Sequence, residues 1–126
     1  IRYADTVGCL TPFSTNTIFK ELVSRCPLPI EVHMHNDFGL ATANTLVALD
    51  AGAKLASTTV AGIGERAGNA GFEEVVTGLY SLYGIDTGID VGKLNSLNEL
   101  VARVSQRENF SYKAFSGDTF LANPIF

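Results

Sequence analysis

The sequence predicts an α/β fold in which parallel strands alternate with helices. Three short strand-like segments are each followed by a longer segment in which apolar residues recur at helical spacing. Polar residues gather at the carboxyl end of each predicted strand. Because strand–helix–strand connections are right-handed crossovers, the three strands should lie parallel in one sheet. At 126 residues the chain is at most one ordinary domain.

The first strand–helix unit has clear boundaries. Residues 1–6 are typical of a short strand. Thr11 and Pro12 predict the start of a helix, because proline is preset for the first helical turn. The helix should stop before Pro27, since proline lacks an N–H and restricts the residue before it.

The second unit begins with a strand over residues 30–35. Asn36 or Asp37 can cap the following helix, because short polar side chains accept hydrogen bonds from free helical N–H groups. That helix is predicted to end at Gly52, as glycine is common just after a helix.

The third unit comprises a strand at 54–60, a glycine-rich loop at 61–69 and a helix that Gly84 closes. Asp90 can cap a fourth, trailing helix. We divide the chain into a partial (β/α) segment at 1–88 and a trailing helix with an extended tail at 89–126. The trailing helix carries an apolar stripe. Its members are Leu94, Leu97, Val101 and Val104.

Composition and charge exclude several classes of protein. With 46% hydrophobic and 17% charged residues, the chain is globular rather than disordered. A net charge of −4 argues against nucleic acid binding, which requires clustered Lys and Arg. No apolar run could span a membrane and no segment resembles a signal peptide, so we expect a cytoplasmic protein. Cys9 and Cys26 are expected to be reduced, with Cys9 a small buried residue.

The two histidines of the chain, His33 and His35, stand two positions apart on the second strand. Alternate strand residues face the same side, so both imidazoles should project together while Val32 and Met34 face the core. The spacing alone allows two interpretations, a metal site or two hydrogen-bonded core histidines. Asp37 is either a hydrogen-bond partner of a histidine or a helix cap, and Asp5 is expected to orient its loop.

Three segments in this order and spacing resemble the homocitrate synthase and 2-isopropylmalate synthase family. They cover roughly residues 1–90. They are Asp5-Thr6-Val7-Gly8, His33-Met34-His35-Asn36-Asp37-Phe38-Gly39-Leu40-Ala41-Thr42-Ala43-Asn44, and Gly62-Ile63-Gly64-Glu65-Arg66-Ala67-Gly68-Asn69. A further run resembles the homocitrate synthase branch most closely: Glu73-Glu74-Val75-Val76 with Leu82-Tyr83-Gly84-Ile85-Asp86-Thr87. The resemblance implies a TIM barrel, of which this chain would form the carboxyl-terminal part only. It also implies an acyltransferase that condenses acetyl-CoA with a 2-oxo acid.

The resemblance implies a role for each site residue. His33, His35 and Asn69 would bind a divalent cation (Mg, Mn or Zn), with positions left open for substrate. Thr6 would bind the carboxylate of the 2-oxo acid. Glu65 and Arg66 lie beside the acyl-donor pocket, Glu65 as a catalytic residue and Arg66 as a substrate-binding one.

Two features of the family are absent from this sequence. The Arg-Asp motif that supplies the first metal ligand is missing, as is a downstream histidine, because no histidine follows His35. A TIM barrel needs about 250 residues. We therefore expect a fragment, inactive alone, that needs an amino-terminal barrel half or a partner chain and forms a homo-oligomer. The alternatives are a C–C lyase of the HMG-CoA lyase type and a non-catalytic partner subunit.

Overall fold

A computed structural model describes residues 1–107 and 113–115. Three parallel strands form one sheet in chain order, as the alternating pattern predicts. The register places Val32 between Tyr3 on one side and Ala56 on the other. The strands are β1 (Arg2–Asp5), β2 (Glu31–Met34) and β3 (Leu55–Ser57).

Helices follow each strand, and a fourth helix trails the third unit. A 3₁₀ turn, Val60–Gly62, lies between β3 and the third helix, and another, Val91–Lys93, leads into the fourth. The predicted order of strands and helices is therefore confirmed. The helices are α1 (Pro12–Arg25), α2 (Ala41–Asp50), α3 (Phe72–Tyr83) and α4 (Leu94–Ser105).

Local chemistry explains where α1 begins and α3 ends. Thr11 caps α1: its hydroxyl accepts a hydrogen bond from the Ser14 N–H at 3.2 Å, and the Ser14 hydroxyl accepts one from the Thr11 N–H at 2.9 Å. Gly84 ends α3 in the left-handed conformation, at φ 66°, and its N–H bonds to the Leu79 carbonyl. Both boundaries agree with the prediction.

The core lies between the sheet and its helices. Phe19 of α1 is fully buried and meets the ring of Tyr3 edge-on, with the centroids 5.3 Å apart. Val32 and Met34 are fully buried on the same strand that carries the half-buried His33. Side chains along β2 therefore alternate between the buried core and the face that carries His33, as predicted.

Several predictions about boundaries and burial are wrong. β3 ends at Ser57, because the chain turns into a 3₁₀ segment that includes Val60. Asp90 caps the 3₁₀ turn before α4 rather than α4 itself. Of the apolar stripe on α4, Leu94 is buried whereas Val104 is 75% exposed, and the helix also buries Asn98. Cys9 is exposed. The tail from 116 onward lies outside the described residues.

Within residues 1–107 and 113–115, no helix is long and apolar enough to cross a membrane.

Candidate functional site

The loop after β3 is hydrogen-bonded to the end of β2. His35 and Asn69 form an isolated antiparallel bridge. On either side of it, the Asn36 N–H donates to the Gly68 carbonyl at 2.9 Å, and the Ala70 N–H donates to the Met34 carbonyl at 3.2 Å. Two segments that are more than thirty residues apart in sequence are thus held together at the carboxyl edge of the sheet.

The two imidazoles project together from this edge. Their ring centroids are 5.0 Å apart and the rings are nearly perpendicular, at 84°. Nδ1 of His33 lies 3.1 Å from the Ser57 carbonyl oxygen. A carbonyl can only accept, so Nδ1 of His33 is the donor, and in the neutral imidazole Nε2 keeps its lone pair. This is the arrangement in which a histidine commonly binds metal.

Two buried polar atoms of the bridged pair His35 and Asn69 have no hydrogen-bond partner among the described residues. They are Nδ1 of His35 and Oδ1 of Asn69. The amide of Asn69 is oriented by its Nδ2, which donates to the Ile63 carbonyl at 3.1 Å. Since a buried polar atom without a partner costs free energy, these two atoms are available to a further ligand. An imidazole nitrogen and an amide oxygen are both donors to divalent cations.

Carboxylates and thiols do not complete this donor set. Within the described residues, no group of three or more His, Cys, Asp or Glu side chains could hold a metal ion. The donors that the chain brings together are two imidazoles and one amide oxygen. They fit a divalent cation that takes its other ligands from elsewhere, in agreement with the absence of the Arg-Asp motif.

The other three predicted site residues lie at the same edge. Thr6 is exposed at the end of β1, and its carbonyl accepts a hydrogen bond from Nη2 of Arg66 at 2.7 Å. The carboxylate of Glu65 is 81% exposed and lies 3.5 Å from Nη1 of Arg66. The structure therefore brings all six predicted residues to one edge, with Thr6 and Glu65 at its outer side.

Asp37 has a partner that the sequence did not predict. Arg66 binds it with two nitrogens, Nε at 2.7 Å and Nη2 at 2.9 Å. Hydrogen bonding from Arg66 is the main reason that the pKa of the Asp37 carboxyl lies below its ordinary value. Both alternatives for Asp37 are therefore wrong. The N-cap residue of α2 is Leu40, so neither Asn36 nor Asp37 is the cap. The Oδ1 of Asn36 accepts a hydrogen bond from the Ala41 N–H, in the first turn, at 3.1 Å.

Asp5 orients the loop after β1, as expected. Its carboxylate accepts hydrogen bonds from the N–H groups of Cys9 at 3.1 Å and Leu10 at 2.9 Å. Gly8 lies inside this turn at φ 63°, against the His35–Asp37 segment. The loops after β1 and β2 thus pack directly on one another.

Replacing Gly8 with alanine should destabilise the chain by more than about 2 kcal/mol. A β-carbon there would lie 2.8 Å from Oδ2 of Asp37 and 2.9 Å from the His35 carbonyl oxygen. Gly39→Ala is the matched control, since Gly39 has φ 74° and no atom within 4 Å of an added β-carbon. It should cost only about 1 kcal/mol of backbone strain. Equal losses in urea unfolding would show that the contact with Asp37 is unimportant.

Glu73 is a buried carboxyl to which the sequence assigned no role. It is 1% exposed, and its Oε2 accepts a hydrogen bond from the Ala61 N–H at 3.0 Å. Ala61 is in the left-handed region, at φ 56°, so this contact supports a strained turn. Burial raises the pKa of the Glu73 carboxyl above its ordinary value of 4.5.

This raised pKa predicts a pH dependence. Because the unfolded chain releases the Glu73 proton first, the stability that this group contributes below pH 4.5 is lost as pH rises through the folded pKa. Glu73→Gln keeps an acceptor for Ala61 without a charge. The variant should therefore gain stability relative to the parent between pH 4.5 and neutral, measured by urea unfolding across that range. A difference that does not change with pH would contradict the prediction.

Comparison with known proteins supports this picture. The model of the HMGL-like family matches residues 1–101. The chain is 50% identical over 122 residues to Homocitrate synthase 1 of Nostoc sp. strain PCC 7120, covering 97% of this chain and 32% of that protein. It is 46% identical over 123 residues to 2-isopropylmalate synthase 2 of Caldanaerobacter subterraneus subsp. tengcongensis, covering 98% and 32%.

Solved structures show the same fold. An HMG-CoA lyase of Acinetobacter baumannii, in complex with coenzyme A and 3-methylmalate, superposes with a TM-score of 0.74 at 27% identity. The match covers 86% of this chain and 38% of the lyase. The chain spans about a third of the length of these relatives, and its three parallel strands form part of a TIM barrel. The predicted fold class and family are confirmed: the chain belongs to the HMGL-like family.

Proposed function

We propose that the chain is the carboxyl-terminal part of the barrel of an acyltransferase that condenses acetyl-CoA with a 2-oxo acid, as homocitrate synthase does. The observation that carries the proposal is the meeting of His35 and Asn69, each with a buried atom that has no partner among the described residues. The names of the similar synthases support the same reaction class.

His33, His35 and Asn69 would hold a divalent cation, with Mg, Mn and Zn as the candidates. When bound, the cation supplies Lewis-acid polarisation of the keto group of the 2-oxo acid. His33 is prepared for this role because the Ser57 carbonyl fixes its protonated nitrogen. The amide of Asn69 is held in one orientation by the Ile63 carbonyl.

The remaining residues would serve the two substrates. The exposed Thr6 would bind the carboxylate of the 2-oxo acid. Glu65 would act as a catalytic residue beside the acyl donor, where the methyl group of acetyl-CoA loses a proton before the new C–C bond forms. Hydrolysis of the thioester then releases CoA. The Glu65 carboxylate is 81% exposed at the site edge, so a substrate can approach it.

The rest of a barrel is the partner that the sheet requires. Among the described residues, β1 and β3 each pair only with β2, so each has an unpaired outer edge. Such edges are covered in stable proteins. We propose that an amino-terminal barrel half, in the same or another chain, covers both edges and supplies the missing aspartate. A cytoplasmic homo-oligomer, with a trailing segment from residue 89, belongs to the same proposal.

The alternative is a lyase that cleaves a C–C bond, and the likeness to HMG-CoA lyase structures favours it. The two reactions differ in substrate. A synthase consumes acetyl-CoA and a 2-oxo acid and releases CoA, whereas the lyase splits a hydroxyacyl-CoA thioester. Both need the cation, so metal binding does not distinguish them.

A barrel chimera tests the proposal. The matched third of Nostoc Homocitrate synthase 1 is replaced with this chain, and CoA release is followed with acetyl-CoA and a panel of 2-oxo acids. We expect CoA release that depends on both substrates and on a divalent cation. Cleavage of HMG-CoA without condensation would favour the lyase. A folded chimera inactive in both assays would favour the non-catalytic subunit. The same chimera with His33→Ala and His35→Ala is the control.

A further inference from the structure

Arg66 makes contacts with all three strand-end loops. It belongs to the loop after β3. Its Nε and Nη2 bind the two carboxylate oxygens of Asp37 in the loop after β2, at 2.7 and 2.9 Å. Nη2 also donates to the Thr6 carbonyl, after β1, at 2.7 Å. One guanidinium therefore joins three segments that the chain presents separately.

The position of this contact connects it to the metal donors. Asp37 follows His35 by two residues, and Arg66 precedes Asn69 by three. Between them lies the bridge in which the Asn36 N–H binds the Gly68 carbonyl. The ion pair between Asp37 and Arg66 thus lies at one end of the antiparallel bridge that pairs His35 with Asn69.

The backbone around the pair is shaped to admit it. Arg66 has φ 51°, in the region that non-glycine residues seldom adopt. Gly8 leaves the space that Oδ2 of Asp37 occupies, since a β-carbon there would approach within 2.8 Å. The left-handed backbone of Arg66 and the absence of a side chain at Gly8 both accompany the contact between Arg66 and Asp37.

We propose that Arg66 and Asp37 are positioning residues, which hold the His35 and Asn69 donors in register for a divalent cation. The inference rests on the proposed metal site. It departs from the substrate-binding role predicted for Arg66, because Asp37 and the Thr6 carbonyl already engage two of its nitrogens. The planar fork of arginine makes the paired contact to a carboxylate, which the point charge of lysine does not reproduce.

The test uses the chain labelled with ¹⁵N-histidine and titrated with Zn²⁺. Only two imidazoles exist, so their resonances report binding without ambiguity. We expect Arg66→Lys and Asp37→Asn each to weaken Zn²⁺ affinity about tenfold, as loss of a group that orients metal ligands does. The double variant should lose little more, because both changes break one contact. Hydrogen exchange at the Asn36 and Ala70 amides should become faster in each variant.

Arg2→Lys is the matched control. Arg2 forms a comparable two-nitrogen pair with Glu31, at 2.6 and 3.2 Å, at the opposite end of the strands. The control should leave Zn²⁺ affinity and both amides unchanged, with a melting temperature similar to that of Arg66→Lys.

Two different failures can be told apart. If Zn²⁺ leaves both imidazole resonances of the parent chain unmoved, the three donors of this chain do not hold the cation without the remaining barrel, and amide exchange alone then decides the positioning role. If the parent binds Zn²⁺ while the Arg66 and Asp37 variants bind it equally well with unchanged exchange, the inference is overturned. Additive losses in the double variant would also overturn it, since they would indicate independent roles.

Discussion

Replacing His35 with alanine is expected to weaken Zn²⁺ binding by the barrel chimera by more than about 100-fold, because even residues that only orient metal ligands contribute about 10–100-fold. Nδ1 of His35 and Oδ1 of Asn69 are buried and have no hydrogen-bond partner among the described residues, as expected of two atoms proposed to bind one cation. Asn69→Ala should therefore also weaken Zn²⁺ binding by the chimera. Competition against a chromophoric chelator measures the affinity of each variant.

Asn95→Ala controls for the loss of an amide elsewhere, since Asn95 is exposed on α4. It should bind Zn²⁺ as the unaltered chimera does. If His35→Ala retained the affinity of the unaltered chimera, the two histidines would have to be interpreted as core residues, the alternative that their spacing also allows.

Replacing Phe19 with alanine should destabilise the chain by about 3–5 kcal/mol. Phe19 is fully buried and contacts the Tyr3 ring, so the change removes a large side chain from the centre of the core. Small domains are stable by only about 5–15 kcal/mol, so the variant should melt far below the parent or fail to fold. Urea unfolding followed by circular dichroism measures the difference.

Phe13→Ala is the matched control on the same helix, because Phe13 is 87% exposed. It should change the free energy of unfolding by less than about 0.5 kcal/mol. Similar losses for the two variants would mean that α1 does not pack on the sheet as the structure shows.

The order of strands and helices could be predicted because its signals are local. Helical spacing, the Thr11-Pro12 start and the closing Gly84 each depend on a few neighbouring residues. The end of β3 could not be predicted in this way. The β-branched run up to Val60 favours a strand, but the chain turns there, and the buried Glu73 twelve residues beyond Ala61 supports the turn.

The predicted site residues lie together because the carboxyl ends of parallel strands meet at one edge. Strand direction thus predicts where these residues lie but not which side chains bind one another. The pair formed by Asp37 and Arg66 joins residues 29 apart, and nothing near either residue in the sequence indicates the other. Charge alone could not show that Arg66 is engaged rather than open to substrate. The burial of Asn98 in place of Val104 similarly follows from how α4 packs.

The most direct test of the central claim is the zinc X-ray absorption spectrum of the barrel chimera. The account predicts two imidazoles, from His33 and His35, with oxygen ligands for the remainder, at about 2.0–2.2 Å. The double variant with both histidines changed to alanine should lose the imidazole signal. A spectrum with no imidazole, or with sulfur at about 2.3 Å from a cysteine such as Cys9, would contradict the proposed site.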